Sequence, residues 1–319
     1  AGAAPPRSAA AAVNAAAACC AVAPAAHGAL PERLRPLVRA ALTTLARDAG
    51  DAVARAHACR ALGCCGGAAP LKRHVANWLV RACERHARDA LPCVRRGALD
   101  ACLALAAALP ATLEASRAGS ALSRAEEVHL LHCKLMPVAT ALAEDAAPEV
   151  RAAAARRAGA LCDAFGPKRS AILVDEVHSL VEDADVRVRC AAARALPAVA
   201  RAALRGAASS GDALGLLTPA ATRLASDPNA DARAALAAAV GGFLDMLCAD
   251  VLGGAAPPPA PAAAEKSDDS DDDGGETSAL DRAIFPLLLI LVNDEVPDVA
   301  CTALRALASA GGDERLDAR

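Results

Sequence analysis

Apolar residues recur at three- and four-residue spacing along most of the chain, as at Leu173, Val177, Leu180 and Val181. That spacing marks one face of a helix. No stretch alternates with period two over a useful length, so no sheet is expected. The pattern resolves into helix pairs. First helices are predicted over residues 32–47, 71–88, 124–144, 169–182, 213–226 and 279–292. Second helices are predicted over 52–63, 93–109, 149–165, 185–204, 230–252 and 298–310. Pro92, Pro148, Pro228 and Pro297 stand at or just before second helices, where a missing N–H costs little. Gly63, Gly166 and Gly206 follow second helices, as helix stops do.

One frame joins the two helices of each pair: an Asp, four residues, a small aliphatic residue, then Arg. It reads Asp89…Val94-Arg95, Asp145…Val150-Arg151, Asp183…Val188-Arg189 and, with Ala for Val, Asp227…Ala232-Arg233. Degenerate copies occur at Asp48…Val53 and Asp294…Val299, where Ala54 and Ala300 take the Arg position. Successive Asp residues lie 41, 56, 38, 44 and 67 residues apart, and the two long gaps hold insertions at 110–123 and 253–278. Without them the period falls close to the roughly 40–47 residues of HEAT and armadillo arrays. The expected fold is therefore all-α, a HEAT-repeat solenoid of about six to seven helix hairpins. It would span residues 1–252 and continue over 279–319 beyond the insertion.

The frame's charged residues call for a physical reason. In stacked hairpins the start of each second helix is flanked by neighbours, so an Arg there is partly buried. Charged residues are rarely buried unless paired. A carboxylate of the same or the adjacent turn can accept from that guanidinium and from exposed helix N–H groups. Asp89, Arg95, Asp145, Arg151, Asp183, Arg189, Asp227 and Arg233 are accordingly expected to form a repeating ladder that fixes register, in preference to a catalytic or anion-binding set.

Composition sharpens this picture. Hydrophobic residues make up 55% and aromatic residues 1%, so the core must be Leu, Val and Ala. Alanine is the best helix former, and propensity agrees with pattern. The Ala and Arg excess reads as coding bias. The formal net charge of −3 gives no general pull toward nucleic acid, and no aromatics interleave with the arginines for base stacking. Thirteen cysteines sit mostly at small apolar helix positions and read as reduced core residues. No run is long enough to span a membrane. Residues 1–31 lack acids and contain Arg7 and Ser8, loosely like a transit peptide. The repeat logic favours reading 8–22 as the second helix of an earlier hairpin in a longer chain.

Chemistry is sparse. His74, Cys83 and His86 fall on one first helix and His129, His132 and Cys133 on the next, the nearest approach to a metal set. Their distances from the respective Asp residues offset the two groups by about 10 Å along parallel helices, too far for one tetrahedral ion. No nucleophile elbow or phosphate loop is present, so no catalytic residue, metal or cofactor is expected and the chain reads as a non-enzyme. The insertion runs from Pro257-Pro258-Pro259 into Glu265-Lys266-Ser267-Asp268-Asp269-Ser270-Asp271-Asp272-Asp273 and is expected to be a disordered spacer. Ser270, with acids at the next three positions, and Ser267 are candidate phosphorylation sites. Insertions join one hairpin to the next, whereas turns within hairpins stay short. The rigid row of short turns is the better pre-organised docking edge.

The run Leu135-Met136-Pro137, then Glu144-Asp145, Pro148-Glu149-Val150-Arg151, resembles HEAT-repeat subunits of type-2A protein phosphatases, their scaffold subunit and a regulatory subunit of protein phosphatase four. Asp294-Glu295-Val296-Pro297-Asp298-Val299 looks similar, although Arg is missing after Val299 and the acidic insertion departs from the pattern. The resemblance implies a non-catalytic scaffold, cytoplasmic or nuclear, holding a phosphatase catalytic subunit and a targeting subunit on its short turns. Carried onto this chain, the docking residues are Asp145, Pro148, Glu149, Asp183, Asp185, Asp227 and Asn229. The frame is shared by condensin and nuclear-import proteins, so an importin-like or condensin-like adaptor gripping cargo on its concave face is the alternative. A bilin-lyase-like HEAT enzyme would have a shorter period, of about thirty.

Overall fold

A computed structural model describes residues 42–43, 46, 52–64, 73–114, 123–205, 210–252 and 284–311, and every regular element among them is helical. In chain order these are α1 (Ala52–Cys64), α2 (Arg73–His86), α3 (Pro92–Glu114) and α4 (Arg124–Val128). A π-helical segment (His129–Leu135) carries α4 into α5 (Met136–Ala143). Then come α6 (Pro148–Phe165), α7 (Pro167–Val181), α8 (Val186–Leu204), α9 (Ser210–Ala225), α10 (Ala230–Leu252), α11 (Phe285–Val292) and α12 (Pro297–Gly311). The readings of residues 1–31 and 253–278, with Ser267 and Ser270, lie outside the described residues. Of the helix predicted over 32–47, Leu42, Thr43 and Ala46 are described, all helical, with Leu42 and Ala46 buried.

Second helices start in one of two ways, set by the sequence. Where Pro stands three residues after the frame Asp, as at Pro92, Pro148 and Pro297, it opens the second helix, because its fixed φ suits the first turn. Where Pro is absent there, an Asx side chain caps instead: Asp185 Oδ1 accepts from Arg187 N–H at 2.8 Å and Asn229 Oδ1 from Asp231 N–H at 2.7 Å. The end predicted for α3 is corrected. The helix runs through Pro110 to Glu114, so the insertion is shorter than 110–123. Alanine-rich sequence sustains the helix past the ring, although the proline forfeits one backbone hydrogen bond there.

Three first helices carry proline at a fixed place. Pro137, Pro219 and Pro286 all stand eight residues before their frame Asp. Ahead of Pro137 the ladder of hydrogen bonds widens, and Met136 N–H bonds to Leu131 O, five residues back. A ring that lacks an N–H and crowds the preceding turn accounts for the widening.

Each first helix folds back on the second helix that follows it, and second helices pack in succession, α1 on α3, α3 on α6, α6 on α8, α8 on α10 and α10 on α12. Small residues bring them very close. A Cβ on Gly63 would lie 2.4 Å from Ala101 Cα, on Gly97 2.6 Å from Ala56 O, and on Gly159 2.5 Å from Ala198 Cβ. The core repeats with the frame. The aliphatic residue beside the frame Arg is wholly buried at Val94, Val150, Val188 and Ala232, as is Val299. Sixteen residues after the Asp, Leu105, Leu161, Val199 and Phe243 are buried. Three before it, Leu142, Leu180, Leu224 and Leu291 fill the interface, and His86 takes that leucine position at 5% exposure.

Candidate functional site

The turns inside hairpins are cross-linked into one row. Arg95 Nε and Nη2 donate to the two carboxylate oxygens of Asp145 in the next turn at 2.6 and 2.7 Å. Its remaining nitrogen, Nη1, donates to the carbonyls of Asp89 and Ala90 in its own turn. Arg151 does the same to Asp183 at 2.5 and 2.9 Å, holding its own turn through the Asp145 and Ala146 carbonyls. Arg189 holds Asp227 at 2.6 and 3.0 Å and the Asp183 and Ala184 carbonyls. Arg233 reaches across the insertion to Asp294 at 2.6 and 3.0 Å and back to the Asp227 carbonyl. Each guanidinium therefore staples one turn by its carbonyls and the next by its carboxylate, a geometry only the planar fork of Arg supplies.

Each carboxylate is further filled from its own turn. Oδ1 of Asp145, Asp183, Asp227 and Asp294 accepts the N–H two residues on, from Ala147, Asp185, Asn229 and Val296, at 2.8–2.9 Å. These donors lie ahead of or at the helix start, not inside the helix as anticipated. Burial alone would push the Asp145, Asp183 and Asp227 carboxyls up, but the guanidinium and the N–H outweigh it and leave all three below the ordinary range. The Arg233 fork itself dominates at Asp294, with the same net direction.

The first rung corrects the sequence register. Val53 is 46% exposed, whereas Ala54 is fully buried and Arg55 lies 3.6 Å from Asp89. Ala54 and Arg55 thus occupy the places assigned to Val53 and Ala54. Which side chains face the interface decides the register, and spacing from Asp48 misplaces it by one. The recurrence of Arg one residue after a buried aliphatic was the signal available.

The same geometry gives the turn residues singled out in the sequence their places within the chain. Asp145, Asp183 and Asp227 are committed to the ladder. Asp185 and Asn229 cap α8 and α10, and Asp185 also holds Arg187 at 2.7 Å, which with the cap lowers its carboxyl to about 2. Pro148 is half-buried and Glu149 exposed. The exposed charges that the sequence reading passed over on the same turns are Glu144, Glu182, Asp231, Glu295 and Asp298, with Glu182 bonded to Arg223 at 2.9 Å. Exposed arginines, Arg88 and Arg187, stand among them, so acids outnumber bases at the surface of the edge while the charges beneath are paired.

The histidines and cysteines do not converge. Among the described residues no three of His, Cys, Asp and Glu are grouped as metal ligands would be. Cys83 Sγ donates to Ala98 O, and Cys102 Sγ to Leu135 O. No helix among the described residues is long and apolar enough to cross a membrane.

No protein-family model and no curated protein matches the chain. Solved structures of engineered proteins are similar to it at low level. One is 14% identical with a TM-score of 0.41, covering 86% of this chain and 98% of its own. A second is 17% identical with a TM-score of 0.40, covering 86% and 96%. A third is 17% identical with a TM-score of 0.42, covering 93% and 64%. Likeness at this level carries no argument on fold family or function.

Proposed function

We propose that the chain is a HEAT-repeat solenoid acting as a non-catalytic scaffold that binds other proteins along the turns within its hairpins. The observation that carries this reading is the row of four bidentate rungs from Arg95 to Asp294. It holds successive turns in fixed register and, apart from Glu295 at 3.8 Å from Arg233 Nη2, leaves the projecting carboxylates out of its ion pairs. A pre-organised edge loses little conformational entropy on binding. Its outward carboxylates, Glu149, Asp231, Glu295 and Asp298, suit a partner surface bearing Lys and Arg.

The particular partner follows from the resemblance at Leu135–Pro137 and Glu144–Arg151: a catalytic subunit of a type-2A serine/threonine phosphatase, together with a targeting subunit. The domain reading goes with it, one array over 1–252 resuming at 279–319. Affinity capture with the purified catalytic subunit tests the assignment. Recovery should fall when Glu149, Asp231 and Glu295 become Lys, and should survive substitution of the exposed second-helix arginines. Failure to recover the subunit with the unaltered chain removes the phosphatase assignment. Loss only on second-helix substitution removes the turn edge.

A further inference from the structure

One face of the second helices carries a charge row of opposite sign, in which Arg156, Arg157 and Arg194 are exposed and Arg60 and Arg96 half-buried. Arg194 lies on α8, Arg156 and Arg157 on α6, Arg96 on α3 and Arg60 on α1. These helices pack in succession, so the arginines run across the helix axes and not along one helix. Arg156 and Arg194 stand eleven residues after their respective frame Asp, at equivalent places on neighbouring helices. The row holds a single carboxylate, Asp100, which is shared by Arg60 at 2.5 Å and Arg157 at 3.2 Å. Among the described residues Arg96, Arg156 and Arg194 enter no ion pair. Partial burial, and then the like charges of Arg96, Arg157 and Arg194, hold the Arg156 guanidinium below its ordinary range. Folding has thus gathered like charges that gain nothing from one another.

We propose that this face binds an extended acidic peptide segment of a partner protein, lying across α8, α6 and α3. Neighbouring helices packed through small residues are about 8–10 Å apart, and three residues of extended chain span about 10 Å. Carboxylates at every third position of the peptide would therefore meet Arg194, Arg156 and Arg96 in turn. A nucleic acid fits less well, because the whole chain is net negative at −3 and only 1% aromatic. The face is separate from the turn edge, and the proposal stands whether or not a phosphatase binds there.

The test is fluorescence anisotropy with a labelled Gly/Ser peptide of about twelve residues carrying Glu at every third position. Binding should weaken as ionic strength rises. The triple variant Arg96→Gln, Arg156→Gln, Arg194→Gln should lose roughly tenfold in affinity, the sum of three modest charge pairs. The corresponding triple Lys variant should retain most of it, and circular dichroism of both should match the unaltered chain. Arg223→Gln, on a first helix, should leave affinity within about twofold. The proposal is overturned if a Gln-for-Glu peptide binds equally well, or if Arg223→Gln costs as much as the triple variant. Tighter binding of a single-stranded DNA of equal charge would reassign the face to nucleic acid. Binding that emerges only after the aspartates of residues 265–273 become Asn would assign it to the chain's own acidic stretch.

Discussion

Arg189 closes a two-pronged hydrogen bond on Asp227, 38 residues further along the chain, while its third nitrogen holds the carbonyls of its own turn. Both side chains are largely withdrawn from water, at 14% and 5% exposure. Such a pair offsets its own desolvation only when geometry is good, and its net stabilisation over an apolar pair can be near zero. What it does supply is a penalty for any other register, since a hairpin shifted by one residue would bury both charges unpaired.

The two residues should therefore behave as a unit. Arg189→Ala and Asp227→Ala are each expected to destabilise by about 3 kcal/mol. The double variant should cost less than the sum by about 1–3 kcal/mol. Asp227→Asn keeps an acceptor for the Asn229 N–H and should fall between unaltered chain and Asp227→Ala. Urea unfolding of the four variants and the unaltered chain decides it, and strict additivity would mean that the rung contributes no coupling.

Acid should weaken the fold in two separate steps. Burial of His86 in a leucine site lowers its folded-state affinity for a proton, despite the opposing pull of Asp89. A lowered pKa gives stability that is complete above the unfolded value of about 6.5 and declines as pH falls below it. The ladder carboxyls are also lowered, so their contribution is complete above about 4 and drains away below that. His86→Leu should flatten the first slope and leave the second. Stability measured from pH 7 to pH 3 would separate them, and an unchanged upper slope in His86→Leu would count against the histidine.

Glycine-to-alanine changes should split by site. At Gly159 the new methyl meets Ala198 at 2.5 Å, and the helices must part, at about 1–3 kcal/mol. Gly166 has open space but sits at φ +82°, where a side chain is strained by about 1–3 kcal/mol. Gly215, on α9 with nothing within 4 Å, should instead gain roughly 0.5–1 kcal/mol from helix propensity. Thermal midpoints of the three variants should move down, down and up.

Thiol reactivity should report burial. Burial, with the Asp163 charge adding, pushes the Cys162 thiol up to about 12, so almost no thiolate forms at neutral pH. Cys59, Cys83, Cys102 and Cys190 are buried as well, whereas Cys133 and Cys301 are exposed. Brief alkylation followed by peptide mass mapping should label Cys133 and Cys301 and leave the buried five until denaturant is added. Labelling of Cys162 at the rate of Cys133 would contradict the packing of α6.

Much of the architecture was legible because local signals repeat. The frame located the turns from Asp89 to Asp294, and apolar spacing gave α6, α8 and α10 to within a few residues. Partner choice on the ladder was not legible, because Asp145 could equally have paired with Arg151 in its own turn. The answer depends on the offset between stacked hairpins, which no single repeat encodes. The Val53 register failed because a turn can absorb one residue without disturbing the helices. Pro219 and Pro286 were readable, eight residues before each Asp, once Pro137 had drawn notice. The separate roles of the turn carboxylates were the least legible. A turn carboxylate looks alike in sequence whether it caps a helix, as at Asp185, or projects into solvent, as at Asp231.

The small-residue seam between second helices has a mechanical side. With no room for even a methyl at Gly63 or Gly159, one helix cannot slide on the next without driving an alanine into its neighbour. The seam therefore keys the second helices together as the guanidinium rungs key the turns, so neighbouring hairpins are fastened along two separate lines. A hinge between two hairpins would have to release both at once.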